Sequence, residues 1–387
     1  MDLIFSNRLK KLPPYLFAEL DRLKAEAIRE GRDVIDLGIG DPDLSTPQSV
    51  VEELSREAHK KENQYYPSNK GLPEFRQAIS NWYARRFNVS LNPTTEILPL
   101  IGSKEGIAHL PLAFINRRDL ALVPDPAYPV YRSGVVLAGG IPYSLPLLKE
   151  SNFLPELNKI EKRIARKAKL LFLNYPNNPT TAIAPEEFLE EAVNFAKKYN
   201  IVVCYDNAYS EIAFNGYRPK SFLEIRGAKD VGVEFHSLSK TYNMTGWRIG
   251  WVCGNEKIIS ALAKIKSNID SGIFLAVQRA GVAALCPKFR FGQPREIYER
   301  RKNILFEGLR RLGWSVEEPK ATFYLWVSLP PKFKSSLEFS QTLLKERDII
   351  VSPGVGFGSY GEGYFRIALT VSEERIKEAI KRVAGDG

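Results

Sequence analysis

The stretch Phe235 to Trp251, FHSLSKTYNMTGWRIGW, sets the architecture of this chain. The apolar run Val231 to Phe235 reads as a strand that ends just before Ser237, Ser239 and Lys240, and Arg248-Ile-Gly-Trp-Val-Cys-Gly reads as a strand leading back. A lysine among small hydroxyl residues can form an imine with an aldehyde. The hydroxyls and the Arg248 guanidinium can hold a phosphate dianion through charge-assisted hydrogen bonds. The alternative is a basic surface loop after a strand, so the choice rests on what the rest of the chain places beside it.

On both sides of this stretch, polar or small residues recur just past successive strand ends. Ile97 to Gly102 is an apolar run that turns at Gly102-Ser103 into a helix over Lys104 to Phe114, where free N–H groups and the positive end of the helix dipole suit a phosphate. Leu120 to Pro124 is followed by DPAYPVYRS, with Tyr128 available to stack on a flat ring. Leu170 to Leu173 runs into NYPNNPTTAIAP, where Asn178 precedes a proline, and Ile201 to Cys204 runs into YDNAYSE, with Asp206 at the strand end and Tyr209 three residues on. Taken singly, Asp206 also reads as a helix cap, and Tyr65 and Tyr66 further back as packing aromatics. Together, Gly102, Tyr128, Asn178, Asp206 and Lys240 describe one ligand along the C-terminal edge of a mostly parallel sheet. An aldehyde that also carries a phosphate is pyridoxal 5′-phosphate, whose chemistry requires such a lysine.

The flanking segments complete an α/β pattern. Tyr15 to Arg29 has helical apolar spacing stopped by Gly31; Val34 to Ile39 is a short apolar run; GDPD (Gly40 to Asp43) is a turn; and Ser45-Thr46-Pro47 reads as a hydroxyl cap opening a helix. Gly40 lets backbone approach a ligand, or is a plain turn glycine. QYYPSNKG, Gln64 to Gly71, is a polar loop carrying Tyr65 and Tyr66. Lys159 to Lys169 has the spacing of a solvated amphipathic helix, and Ile258 to Leu285 reads as helical. Beyond the helix Arg295 to Leu312, strands alternate with helices in a smaller α/β unit, and the glycine-rich run Gly354 to Gly363 reads as a mobile loop ahead of Arg366, a candidate fork for a carboxylate or else a surface salt bridge. The expected domains are an arm and part of the small domain over 1–45, a large domain over 46–287 and the small domain over 288–387.

Composition narrows the function classes. Of 387 residues, 44% are hydrophobic and 26% charged, enough for two cores in an ordinary globular chain. No run of about 18 apolar residues predicts a membrane span, and the start lacks the features of a signal peptide. Three cysteines, Cys204, Cys253 and Cys286, stand far apart, which suits buried thiols in a reducing cytoplasm, and the three histidines form no metal-binding pattern. The net charge of +10 is spread along the chain, which favours handling of small anions over nucleic-acid binding.

At this level the chain resembles the class I, fold-type I pyridoxal-phosphate aminotransferases over nearly its whole length. GDPDLSTP, YPSNKG, GSKEGIAH, PDPAYPVY, NYPNNPT, DNAYSE, SLSKTYNMTGWRIG and GYFRIAL stand in family order. PPYLFAELDR, IGSKEGIAHLPLAF, NIDSGIF and GEGYFRIALTV look most like the subgroup acting on LL-diaminopimelate. The resemblance implies a large domain with a mostly parallel sheet flanked by helices, a smaller α/β domain, and a cytoplasmic homodimer using an amino acid and a 2-oxo acid. It implies that Lys240 carries the cofactor and shuttles a proton, Asp206 pairs with the pyridine nitrogen, and Tyr209 and Asn178 bond the ring oxygen. Tyr128 would stack on the ring. Ser103, Lys104, Ser237, Ser239, Arg248 and Tyr66 of the partner subunit would bind phosphate, and Arg366 and Gly40 the α-carboxylate. Tyr15 and Lys104 match positions facing substrate. One departure is Thr181, where the class usually has glycine after NPT.

Overall fold

The protein is represented by a computed structural model that describes residues 3–12, 18–286 and 293–385. The strands in chain order are β1 (Ile35–Asp36), β2 (Ile97–Leu100), β3 (Leu120–Asp125), β4 (Ile141–Pro146), β5 (Ala168–Asn174), β6 (Val202–Asp206), β7 (Gly232–Ser237), β8 (Gly250–Gly254), β9 (Tyr324–Ser328), β10 (Ile349–Ile350), β11 (Ser352–Pro353) and β12 (Tyr364–Ala368). A seven-stranded sheet has the order β2-β8-β7-β6-β5-β3-β4. Every pairing from β4 to β7 is parallel, while β8 runs antiparallel to both β7 and β2.

Side chains alternate across this sheet with the two-residue period of a strand. Leu171, Leu173, Val203 and Tyr205 enter one buried cluster, and Leu170, Phe172, Cys204, Val233 and Phe235 enter another. Helices must therefore cover both faces, as parallel sheets require. Helix Glu186–Tyr199 does so with Leu189, Ala192, Val193 and Ala196 buried on one stripe, and it ends at Asn200 in the left-handed region. With both faces covered, the C-terminal edge is where a sheet of this kind places a ligand, and Asn174, Asp206 and Phe235 lie side by side there in register.

A second core surrounds the antiparallel sheet β11-β12-β9 and the parallel pair β1-β10. The pairing of β1 with β10 brings the N-terminal segment to this second layer. The segment Ala321 to Tyr324 joins the layers: Thr322 N donates to Ile212 O at 2.8 Å, and Phe214 N donates to Lys320 O at 2.9 Å.

Several local expectations change. Thr46 does not cap the following helix, which spans Gln48–Ala58 without a side-chain cap; its hydroxyl donates instead to Asn243 O at 2.8 Å. Lys159 to Lys169 forms only one α-helical turn, Lys162–Ala165, because β5 begins at Ala168. The Ile258 to Leu285 segment is two helices, Glu256–Lys266 and Leu275–Ala284, parted around Gly272 at φ +88°. Gly354 to Gly363 is packed into two 3₁₀ turns, Gly354–Phe357 and Ser359–Gly361, and Tyr360 N donates to Asp125 Oδ1 at 3.0 Å. Cys204 and Cys253 are buried as expected, but Cys286, two residues past the end of its helix, is exposed. β4 is not legible in the sequence. The expected boundary at residue 287 and Tyr15 lie outside the described residues.

Candidate active site

Asp206 ends β6 and is buried. Its Oδ2 accepts from the Tyr131 hydroxyl at 2.8 Å, while its Oδ1 is buried with no partner. Burial pushes the carboxyl up to about 6, against hydrogen bonds from Tyr131 and the Ala208 backbone that favour the anion. Leaving such an acceptor unpaired costs about 1–3 kcal/mol. A ligand N–H, cationic above all, would remove that cost and restore the full charge. Tyr131 is held by stacking on Phe172, with ring centroids 5.3 Å apart, and Asn174 Nδ2 donates to Asp206 O at 2.7 Å. The acid is rigidly aimed.

Lys240 lies on the short helix Leu238–Thr241 after β7, and its Nζ donates to Gly40 O at 2.9 Å. Burial lowers its pKa to about 8; Asp41 opposes this, and the positive charges of Arg366 and Arg248 add to it. A lysine in this state supplies the neutral amine that attack on an aldehyde needs.

An anion cradle lies between these strand ends. Gly102, at φ +74°, precedes helix Ser103–Phe114, and a Cβ there would fall 2.4 Å from Arg248 Nη2. The missing side chain is what admits the guanidinium to the helix N-terminus. Arg248 itself sits at φ +54° with Nη1 donating to Thr245 O at 2.7 Å, and Ser237 Oγ accepts from Ser239 N at 3.1 Å. Buried Lys266 braces the helix start: it pairs with Glu105 Oε2 at 3.2 Å, which accepts from Ile101 N at 3.0 Å. Gly102→Ala is expected to weaken pyridoxal 5′-phosphate binding about tenfold or more, because the methyl displaces Arg248 and the backbone favours glycine. Equilibrium titration by absorbance checks this, and wild-type affinity in the variant would place the phosphate elsewhere.

Arg366 on β12 is buried facing the same space. Its Nη1 donates to Asn178 Oδ1 at 2.7 Å and its Nη2 to Gly38 O at 2.8 Å, while Nε is unpaired. The guanidinium carbon lies 4.1 Å from the Tyr324 ring centroid and 4.7 Å from that of Phe357. With Asn178 Oδ1 taken by Arg366, its amide nitrogen is the end left to donate. The Asn178 turn forms with Thr181 at φ +62°, a backbone conformation that favours glycine over a β-branched residue, and Thr181 N still donates to Asn177 O at 3.0 Å. The Gly40 turn is fixed by the bidentate Arg301–Asp43 pair at 2.7 and 2.8 Å.

Tyr209 is buried, with its hydroxyl 3.2 Å from that of Tyr324. Burial raises the pKa of Tyr209 well above the ordinary tyrosine value, so it keeps its proton. Tyr128 meets Tyr131 edge-on at 5.9 Å and is pushed up to about 12, chiefly by burial.

Asp206, Lys240, Arg366, Asn178, Tyr209, Gly40 and the Gly102 cradle thus converge at one edge. Tyr66 is 90% exposed on the single chain, away from any packing that would explain an aromatic residue. Tyr131 and Tyr324 join the site without having been singled out by sequence reasoning. Tyr131 has a signal, one helical turn beyond Tyr128, whereas Tyr324 has none, since ATFYLWV reads as an ordinary apolar strand. Among the described residues, no group of three or more His, Cys, Asp or Glu side chains could hold a metal.

The chain is similar to known proteins along nearly its whole length. The chain is 53% identical over 379 residues to the LL-diaminopimelate aminotransferase of Moorella thermoacetica, covering 98% of this chain and 97% of that one. It is 54% identical over 380 residues to the LL-diaminopimelate aminotransferase of Aquifex aeolicus, covering 98% of each. Among solved structures, aspartate aminotransferase from Thermotoga maritima superposes with a TM-score of 0.92 at 31% identity, covering 98% of both chains. A probable N-succinyldiaminopimelate aminotransferase from Thermus thermophilus gives 0.89 at 37% identity, over 95% of this chain and 99% of that one. The sequence model of the family "Aminotransferase class I and II" matches residues 32–383, and to that family this chain belongs.

Proposed function

We propose that this chain is a pyridoxal 5′-phosphate aminotransferase exchanging an amino group between LL-diaminopimelate and 2-oxoglutarate, in lysine biosynthesis. Support for the substrate comes from the relatives at 53–54% identity that carry that activity in their names. The observation that carries the cofactor is the unpaired, buried Oδ1 of Asp206 at the end of β6, with Lys240, whose pKa is lowered to about 8, just past the end of the neighbouring strand β7.

Bound at this edge, the cofactor supplies an aldehyde for amine capture and a ring that withdraws electrons. The protein's own groups do the rest. Asp206 Oδ1 receives the pyridine N–H and keeps it protonated. Tyr209 and Asn178 donate to the ring oxygen, and Tyr128 covers a ring face. Ser103, Lys104, Ser237, Ser239 and Arg248 hold phosphate, joined by Tyr66 of the partner subunit in a cytoplasmic homodimer with shared sites. Arg366 and the Gly40 backbone hold the α-carboxylate, with Tyr15 and Lys104 on the substrate side. Lys240 would be the base that moves the Cα proton. The large domain over 46–287 carries the cofactor groups, and 1–45 with 288–387 supplies the carboxylate groups.

The purified enzyme, assayed with 2-oxoglutarate, should favour LL-diaminopimelate over alanine, aspartate and aromatic donors by on the order of 10²-fold in kcat/KM. A higher value for any of those donors would overturn the substrate assignment and leave the aminotransferase assignment standing.

A further inference from the structure

We propose that Tyr324 is a positioning residue joining the two halves of the site, its hydroxyl setting the proton of Tyr209 and its ring seating the Arg366 guanidinium. This rests on the cofactor assignment above and adds a residue to it. Tyr324 is 2% exposed and touches three groups of the site at once. Its hydroxyl is 3.2 Å from that of Tyr209, its ring centroid 4.1 Å from the Arg366 guanidinium carbon, and a Cβ on Gly40 would fall 2.0 Å from its hydroxyl oxygen. Gly40 therefore has no side chain because the Tyr324 phenol occupies that space, and Gly40 O is the group that holds Lys240 Nζ.

The hydroxyl pair has a forced direction in the loaded enzyme. Tyr209 has one proton, and donating it to the ring oxygen leaves its own oxygen as acceptor, so Tyr324 is the donor. A chain of donors strengthens each link. The backbone holds Tyr324 in place at a cost: Thr322 is β-branched yet sits at φ +73°, fixed by its N–H on Ile212 O and by its hydroxyl accepting from Tyr324 N at 3.2 Å. Strain of this kind persists where surrounding contacts over-determine it.

The test separates hydroxyl from ring. A proton from Tyr209 stabilises the cofactor oxygen as an anion and lowers the pH midpoint of the bound cofactor's visible band. Tyr324→Phe should therefore raise that midpoint by about half a unit, with the KM for the amino donor nearly unchanged. Tyr324→Leu should raise the midpoint equally and also raise KM about five- to thirtyfold, as the aromatic face under Arg366 is lost. In a Tyr209→Phe background, Tyr324→Phe should add no further shift. The charged neighbours Arg366 and Asp206 are the same in every variant. A midpoint in Tyr324→Phe equal to wild type, or an undiminished shift in the Tyr209→Phe background, overturns the role of Tyr324. A wild-type protein with no visible band on loading overturns the cofactor assignment instead.

Discussion

Lys240→Ala should reduce amino transfer by at least about 10⁴-fold while leaving the protein folded. In the proposed reaction the amine would serve twice, as nucleophile toward the aldehyde and as base for the Cα proton, and general acid–base catalysis alone contributes about 10²–10⁴-fold. The fold loses little, because Lys240 Nζ makes one hydrogen bond, to Gly40 O, a net loss of about 1 kcal/mol. Single-turnover kinetics read the first effect and thermal unfolding the second. The variant should still bind the cofactor's phosphate, since Gly102, Ser103 and Arg248 are untouched, but without the lysine-dependent absorbance. The wild-type amine adds a pH signature. With its pKa lowered from 10.5 to about 8, the neutral amine is populated as pH rises through about 8. Capture of the aldehyde by cofactor-free enzyme should accelerate over that window, and a midpoint near the ordinary lysine value would contradict the buried setting.

Asp206→Asn is expected to lower kcat by about 10²–10³-fold, the range seen when one aimed electrostatic contact is removed from a transition state. The substitution keeps size and shape but removes the charge that, in the proposed site, would keep the pyridine nitrogen protonated. Its effect on stability should have the opposite sign. Burial holds the Asp206 carboxyl up at about 6, and Oδ1 is unpaired, so the cofactor-free protein bears the cost of an under-satisfied buried acid. A neutral amide relieves part of that cost, and the unfolding temperature of the cofactor-free variant should match or exceed wild type. Near-wild-type turnover in Asp206→Asn would show that the carboxylate does not face the ring nitrogen.

Much of the site is legible in the sequence because a parallel sheet covered on both faces leaves one edge for a ligand. Asp206, Asn178, Tyr128 and Lys240 can be placed from the strand ends alone, and the structure brings all four to that edge. What the sequence hides depends on contacts between distant segments. Local rules make Thr46 a cap, yet its hydroxyl goes to Asn243 O, 197 residues away. β4 escapes notice because IPYSLP carries two prolines, which only an edge strand tolerates, and β4 is at the sheet edge. Lys159 to Lys169 has helical spacing, but pairing of β5 with β3 and β6 claims its last residues. Tyr324 acquires its place only when the Ala321–Tyr324 segment docks on the turn after Asp206, a contact no local pattern announces.

Borohydride reduction of the cofactor-loaded enzyme, followed by peptide mapping, puts the covalent role of Lys240 to the proof. A single pyridoxyl-phosphate adduct should appear on the peptide containing Lys240 and disappear in Lys240→Ala. An adduct confined to Lys104 or another lysine, or no adduct on a protein that is otherwise active, would refute that role.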